Sequence, residues 1–315
     1  MPGVNGILVT LPLLLASLWM PLFSGVLQGR QDFFWLGWGT MLGGVVRVML
    51  AFFFVLALHY GAAGMMAGAL FGVGLTAAIA IWRSRDLWLL PVEAYDRKML
   101  LRQILPLALG FGAFQFMLTS DTMFTKACFS GDAMKPYVLA GTLARALLWL
   151  VLPLAAVMFP KIVHSNASQQ KNNLFNLVLL GTATLSICGA LGLWILGPWI
   201  VKFVARPEDV AGTMALMPWY AWSMVPLTLA NVMVNDLMAR GRFAVVPFML
   251  VLTVAYGFML PTMMNHFPGQ LAVPIQTMGA FNVLLLAVCS WFIWGGGKAK
   301  PKPDVPGQDA PFPSA

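Results

Sequence analysis

Charge is scarce in this sequence. Only 10% of its 315 residues are Asp, Glu, Lys or Arg, where soluble domains carry about a quarter. With 60% hydrophobic residues and a mean hydropathy of +0.81, a soluble globular fold is excluded and a polytopic membrane protein is indicated. Cysteine is scarce as well. Cys128, Cys188 and Cys289 show no pairing or ligand spacing, so neither a disulfide framework nor a metal site is expected. His59, His164 and His266 are too scattered for a metal centre, and no cofactor is implied. Met1 to Asn5 holds no basic residue, which argues against a cleavable signal peptide. Long polar loops are also missing. The loop near 201–211 carries Glu208 and Asp209 but is too short for a catalytic domain, so a membrane glycosyltransferase or polymerase is disfavoured and no enzyme is expected. The net charge of +8 sits in short loops between apolar runs, where it sets topology; no nucleic-acid partner follows from it.

What the chain has instead is apolar runs. Nine emerge, at roughly 7–27, 33–58, 61–82, 103–124, 136–159, 174–200, 212–238, 243–264 and 271–294, each long enough to cross a hydrocarbon core of about 30 Å as a helix. The fold class is therefore all-α. His59 and Tyr60 alone separate the second and third runs, which demands a tight helical hairpin. Gly64, Gly68 and Gly72 follow small-xxx-small spacing, which lets helix backbones approach closely. Pro106, Pro153, Pro226 and Pro247 fall inside runs and are expected to kink helices, with a hinge as the functional alternative. Pro160-Lys161 should close the fifth run at a polar loop. Residues 83–102 mix basic residues with Leu87, Trp88, Leu89 and Leu90, the composition of an interfacial connector. Four parts are expected: 1–82 as three helices of a first lobe, 83–102 as a cytoplasmic amphipathic linker, 103–294 as a six-helix second lobe, and 295–315 as a disordered cytoplasmic tail.

Loops after odd-numbered runs, with the tail, hold thirteen Lys and Arg; loops after even-numbered runs hold four. The richer side is cytoplasmic, which puts the C-terminus inside and the N-terminus outside. An internal echo accompanies this. Leu27-Gln28-Gly29-Arg30, with Phe33 opening the next run, matches Leu237-Met238-Ala239-Arg240, with Phe243 opening the next. Leu, Arg and Phe all recur at an offset of 210 residues. If the first three runs repeat the last three, counterparts of runs four to six are expected ahead of Met1, as in transporters built from parallel repeats. The first lobe is then incomplete.

The run from Leu101 to Val163, with Pro106, Asp121, Gly131, Tyr137, Ala140, Arg145, Pro153 and Phe159-Pro160-Lys161, resembles the seventh and eighth helices of oligosaccharide flippases. These belong to the multidrug/oligosaccharidyl-lipid/polysaccharide (MOP) superfamily. The Leu27-to-Arg30 turn resembles the end of their fourth helix. The resemblance spans nearly the whole chain. It implies a MATE-like pair of six-helix lobes facing a central cavity, cytoplasmic termini, and alternating access. It further implies a bacterial inner-membrane transporter that moves a polyprenyl-diphosphate-linked oligosaccharide to the outer leaflet. Membrane lipids, and polymerase and assembly proteins of polysaccharide synthesis, are the implied partners. A multidrug/cation antiporter of the same fold, and a non-catalytic membrane subunit of a polysaccharide synthesis complex, are the alternatives.

Three residues carry the chemistry. Arg145 lies within 23 residues, Tyr137 to Phe159, that span about 34 Å as a helix. A charge that deep costs about 2.5–3.5 kcal/mol on insertion scales, so it is expected to face a cavity rather than lipid. Snorkelling to an interface is the plainer alternative. Arg145 also falls where related lipid II flippases place a cationic cavity residue. Arg47 sits at similar depth in its own run, and together the two are substrate-binding candidates for a diphosphate; a helix-end carbonyl or lipid phosphate is the alternative partner of Arg47. Asp121 is the coupling-ion candidate, or else a partner for Lys126 or Lys135. Asp236 and Arg240, four apart, read as an ordinary helix ion pair.

Overall fold

The computed structural model describes residues 4–88, 97–129, 131, 134–167 and 174–295. These form ten α-helices: α1 (Val4–Gly29), α2 (Phe33–Leu56), α3 (Gly61–Arg83), the single turn α4 (Arg85–Trp88), α5 (Arg97–Cys128), α6 (Met134–Ala167), α7 (Leu174–Val204), α8 (Val210–Ala239), α9 (Val246–His266) and α10 (Ala272–Ser290). No strand occurs among the described residues. The all-α expectation holds. Residues 89–96 of the expected connector, and all of the expected tail but Gly295, lie outside the described residues.

Eight of the described helices are long and apolar enough to cross a membrane. The seventh expected run, 212–238, forms α8, a 30-residue helix, yet it is not among the eight. Its environment explains why. α8 buries Thr213, Thr228, Asn231 and Asp236 along with Tyr220, Met224, Leu227 and Leu237, so protein surrounds it on most sides. A helix clad in protein can carry polar groups that a lipid-clad helix cannot. Elsewhere the exposed surface is apolar, as Leu18, Phe52, Leu180 and Phe258 illustrate, and Trp199 and Phe203 stand exposed near the end of α7, the position interfacial aromatics favour. The expected stop at Pro160-Lys161 is corrected. α6 continues as helix to Ala167, because a proline removes one backbone donor without ending a helix held elsewhere.

The chain divides into two compact units. The first comprises Met1–Pro106 and Trp149–Thr182. Its tightest contact is α2 against α3. A Cβ on Gly43 would meet Thr76 Oγ1 at 1.9 Å and the Gly72 carbonyl at 2.7 Å, so backbone lies against backbone. Thr76 Oγ1 donates across this contact to the Gly39 carbonyl at 3.0 Å. The hairpin at His59-Tyr60 turns through His59 (φ 55°) and Gly61 (φ 52°). At one end of the unit, Arg30 pairs with Asp86 at 2.5 and 3.1 Å, and Arg83 with Asp32 at 3.1 Å. The Asp86 hydrogen bonds also raise the pKa of Arg30.

The second unit comprises Leu107–Leu148 and Ala183–Ala315. α8 and α10 pack side by side in it, and Asn282 donates to the Ser223 carbonyl at 2.9 Å.

The sequence echo has a backbone counterpart. After α1, the amides of Arg30, Gln31 and Asp32 donate to the carbonyls of Val26, Gln28 and Leu27. After α8, the amides of Arg240, Gly241 and Arg242 donate to those of Asp236, Met238 and Leu237. Every bond recurs at the 210-residue offset. Both are Schellman-type helix caps, with Gln31 (φ 57°) and Gly241 (φ 66°) in the left-handed position, and with Leu27 and Leu237 buried beneath.

Candidate functional site

Inside the second unit, a helical face of α6 meets α5 and α8. Tyr137, Gly141 and Arg145 follow one another at intervals of four, which stacks them on a single stripe of α6. Asp121, Thr122 and the Leu118 carbonyl come from α5, and Tyr220 from α8. Arg145 Nη2 donates to the two Asp121 carboxylate oxygens at 2.7 and 2.9 Å. The same nitrogen lies 2.7 Å from Thr122 Oγ1 and 2.8 Å from the Tyr220 hydroxyl. Nε donates to the Leu118 carbonyl at 3.2 Å. Asp121 is fully buried, and Arg145 keeps 15% of its side chain exposed.

The carboxylate is well supplied. Besides Arg145, the Tyr137 hydroxyl donates to it at 3.0 Å and the Tyr220 hydroxyl donates in a short hydrogen bond. Arg145 Cζ also lies 5.5 Å from the Tyr220 ring centroid, a cation–π contact, and the Tyr137 and Tyr220 rings meet edge-on at 5.5 Å. A buried ion of either sign must be paired and hydrogen-bonded, and this cluster does both.

Two features of the pair decide its chemistry. Asp121 engages Arg145 through one terminal nitrogen rather than across the guanidinium fork. Nη1 has no hydrogen bond among the described residues and points at Gly141, where an added Cβ would stand 3.1 Å from it and 2.9 Å from the Tyr220 ring. Close by, the hydroxyls of Ser120, Thr125 and Tyr256 are buried without a hydrogen-bond partner among the described residues.

The sequence candidates thus separate. Arg145 and Asp121 come together, and Asp121 takes Arg145 as its partner instead of Lys126 or Lys135. Arg47 lies in the other unit, on α2. It is exposed, its stem beside Gly72, and among the described residues its guanidinium has no hydrogen bond or ion pair. Asp236 pairs with Arg240 at 2.8 Å, as its spacing demands. Tyr220 carries no signal in the motifs, but a simple count reaches it. Of five tyrosines, Tyr137, Tyr220 and Tyr256 lie inside apolar runs and are fully buried, and a buried tyrosine hydroxyl needs a partner. Two shallow cavities of about 600 Å³ lie away from Arg145, one beside Lys126, Lys135 and Arg206, the other beside Val46 and Phe71. No group of His, Cys, Asp and Glu among the described residues can hold a metal.

Among solved structures, an outward-facing multidrug resistance MATE family transporter of the MOP superfamily superposes with a TM-score of 0.69. The match covers 93% of this chain and 68% of that one, at 15% identity. The fold is MATE-like. No protein-family model matches the sequence, and no curated protein does. At 15% identity the likeness to the MATE transporter speaks to fold alone, and the chemistry of the buried residues must carry the rest.

Proposed function

We propose that this multi-pass membrane protein is a transporter that moves an anionic lipid-linked oligosaccharide, held by its polyprenyl-diphosphate group, across the bacterial inner membrane. Two lobes would give alternating access, with the C-terminus in the cytoplasm. The observation that carries this reading is the charge balance inside the membrane. Of eleven acidic residues, only Asp121 and Asp236 fall inside the apolar runs, and Arg145 and Arg240 neutralise them. Arg47 remains as a cation with no partner among the described residues. A cavity for a cationic drug wants an uncompensated carboxylate, whereas a surplus guanidinium suits phosphate oxygens through its planar fork.

A second reading, efflux of cationic drugs, draws on the MATE structure, which is itself a multidrug resistance transporter. One experiment separates the two. The protein is expressed in cells lacking their own oligosaccharide flippase, and both surface glycan and ethidium efflux are measured. Restored glycan with unchanged ethidium retention is the expected result. Ethidium efflux without surface glycan would replace the proposal with the second reading.

A further inference from the structure

We propose that Asp121 is a built-in competitor that masks Arg145, so that an anionic ligand binds in the second unit by displacing the Asp121 carboxylate from Nη2. This rests on the reading of Arg145 as a diphosphate-binding residue.

The geometry supplies each step. Nη1 already has two free N–H bonds beside Gly141 and belongs to a side chain that retains some exposure. The partial exposure of Arg145 gives a phosphoryl oxygen a route to the guanidinium while Asp121 still holds Nη2. A diphosphate is then positioned to take the second edge of the fork, because Asp121 occupies only one nitrogen. Until that happens the nearby carboxylate weakens the attraction of Arg145 for any second anion, since like charges compete for one cation.

Displacement, unlike removal of Arg145, leaves the cation close to Asp121, since Nε keeps its bond to the Leu118 carbonyl. It also leaves the other donors to the carboxylate in place. The Tyr137 and Tyr220 hydroxyls both donate to it independently of Arg145, and Thr122 Oγ1 lies 3.4 Å from the same oxygen. Hydrogen bonds from several neutral donors satisfy a carboxylate buried in a protein. The tyrosines thereby hold Asp121 in place and lower the cost of releasing Arg145. They are positioning residues, and their effect on ligand has a definite sign. Removing a tyrosine donor leaves a more poorly satisfied carboxylate that grips Arg145 harder.

The test uses the purified full chain in detergent and measures binding of farnesyl diphosphate and of inorganic pyrophosphate, with farnesol as the control for partitioning. Asp121→Asn keeps the shape and removes the competing charge. It should tighten farnesyl diphosphate binding on the order of tenfold, the worth of one charge-assisted hydrogen bond, and the gain should vanish in the double variant with Arg145→Ala. Tyr137→Phe keeps the ion pair, so it remains informative if Asp121→Asn fails to fold; it should weaken binding about two- to fivefold. Pyrophosphate should show the same order of affinities if the diphosphate alone is recognised. If Arg145→Ala abolishes binding while Asp121→Asn and Tyr137→Phe leave it unchanged, the masking idea is overturned and the anion-binding reading of Arg145 stands. If Arg145→Ala binds as well as the unaltered protein, that reading falls, and masking with it. Weaker binding by a folded Asp121→Asn would make Asp121 an orienting group and overturn masking as well.

Discussion

Gln31 and Gly241 occupy the same position in two helix caps that lie 210 residues apart, and both adopt the left-handed conformation. Glycine enters that region without penalty, whereas a side chain costs roughly 1 kcal/mol there. The two positions thus satisfy one backbone requirement with different residues, and Gln31 is the strained version.

A pair of reciprocal substitutions follows. Gln31→Gly is expected to stabilise the protein by about 0.5–1 kcal/mol, and Gly241→Ala to destabilise it by about 1 kcal/mol. Midpoints of thermal unfolding in detergent would check both. Equal midpoints for Gly241→Ala and the unaltered protein would show that the cap after α8 does not depend on its geometry.

The α2–α3 contact makes a sharper claim. Gly43 has backbone and a threonine hydroxyl in the space its side chain would need, and neither neighbour is the loose end of a long chain. Gly43→Ala should therefore force the helices apart and cost at least about 1–3 kcal/mol. Gly44, with nothing within 4 Å of its missing Cβ, should accept alanine without loss. Comparing the yield of folded protein for the two variants tests the contact. Equal yields would contradict it.

Why some of this was legible in the sequence is a matter of range. Periodic apolar runs and the His59-Tyr60 hairpin depend on neighbours in the chain, and both appear in the structure. The Leu27/Leu237 echo was visible because a helix cap is a local device. Arg145 stood out because a lone charge in an apolar run is anomalous in itself. Its partner did not. Asp121 is 24 residues away on another helix, and nearer cations at Lys126 and Lys135 offered an easier pairing. Tyr220 is 75 residues from Arg145, and no local pattern marks a hydroxyl that matters only after three helices have packed. The polar content of α8 was readable, but its cause, enclosure by protein, was not.

Topology can be checked with the native cysteines. Cys128 ends α5 and is exposed, Cys289 is buried, and Cys188 is exposed within a span. With loops after even-numbered spans outside, a membrane-impermeant maleimide applied to intact cells should label Cys128. Cys188 should resist labelling, because lipid excludes the water that a thiolate requires. Labelling of Cys128 from the cytoplasmic side only would invert the orientation.

The ion pair leads to the last prediction. Breaking a buried pair by removing one partner costs about 3–5 kcal/mol, because it leaves an uncompensated charge. Arg145→Ala strands Asp121, which is fully buried, so this variant mixes lost stability with lost function. Replacing both partners by apolar residues of similar volume is often neutral, and that separates the two effects. Arg145→Met combined with Asp121→Leu should reach the membrane and unfold at a higher temperature than Arg145→Ala, although the Tyr137 and Tyr220 hydroxyls lose their acceptor. Surface glycan in cells lacking their own flippase should nevertheless fall to background, since no guanidinium is left at this site between α5, α6 and α8 to hold a diphosphate. Arg145→Lys keeps the charge and loses the fork, so it should retain part of the export. Arg47→Ala leaves the pair in the second unit intact and should reduce export less than the double substitution. Full glycan export by the stable Arg145→Met, Asp121→Leu protein would mean that the pair only holds α5 to α6, and the role of Arg145 in transport would be lost.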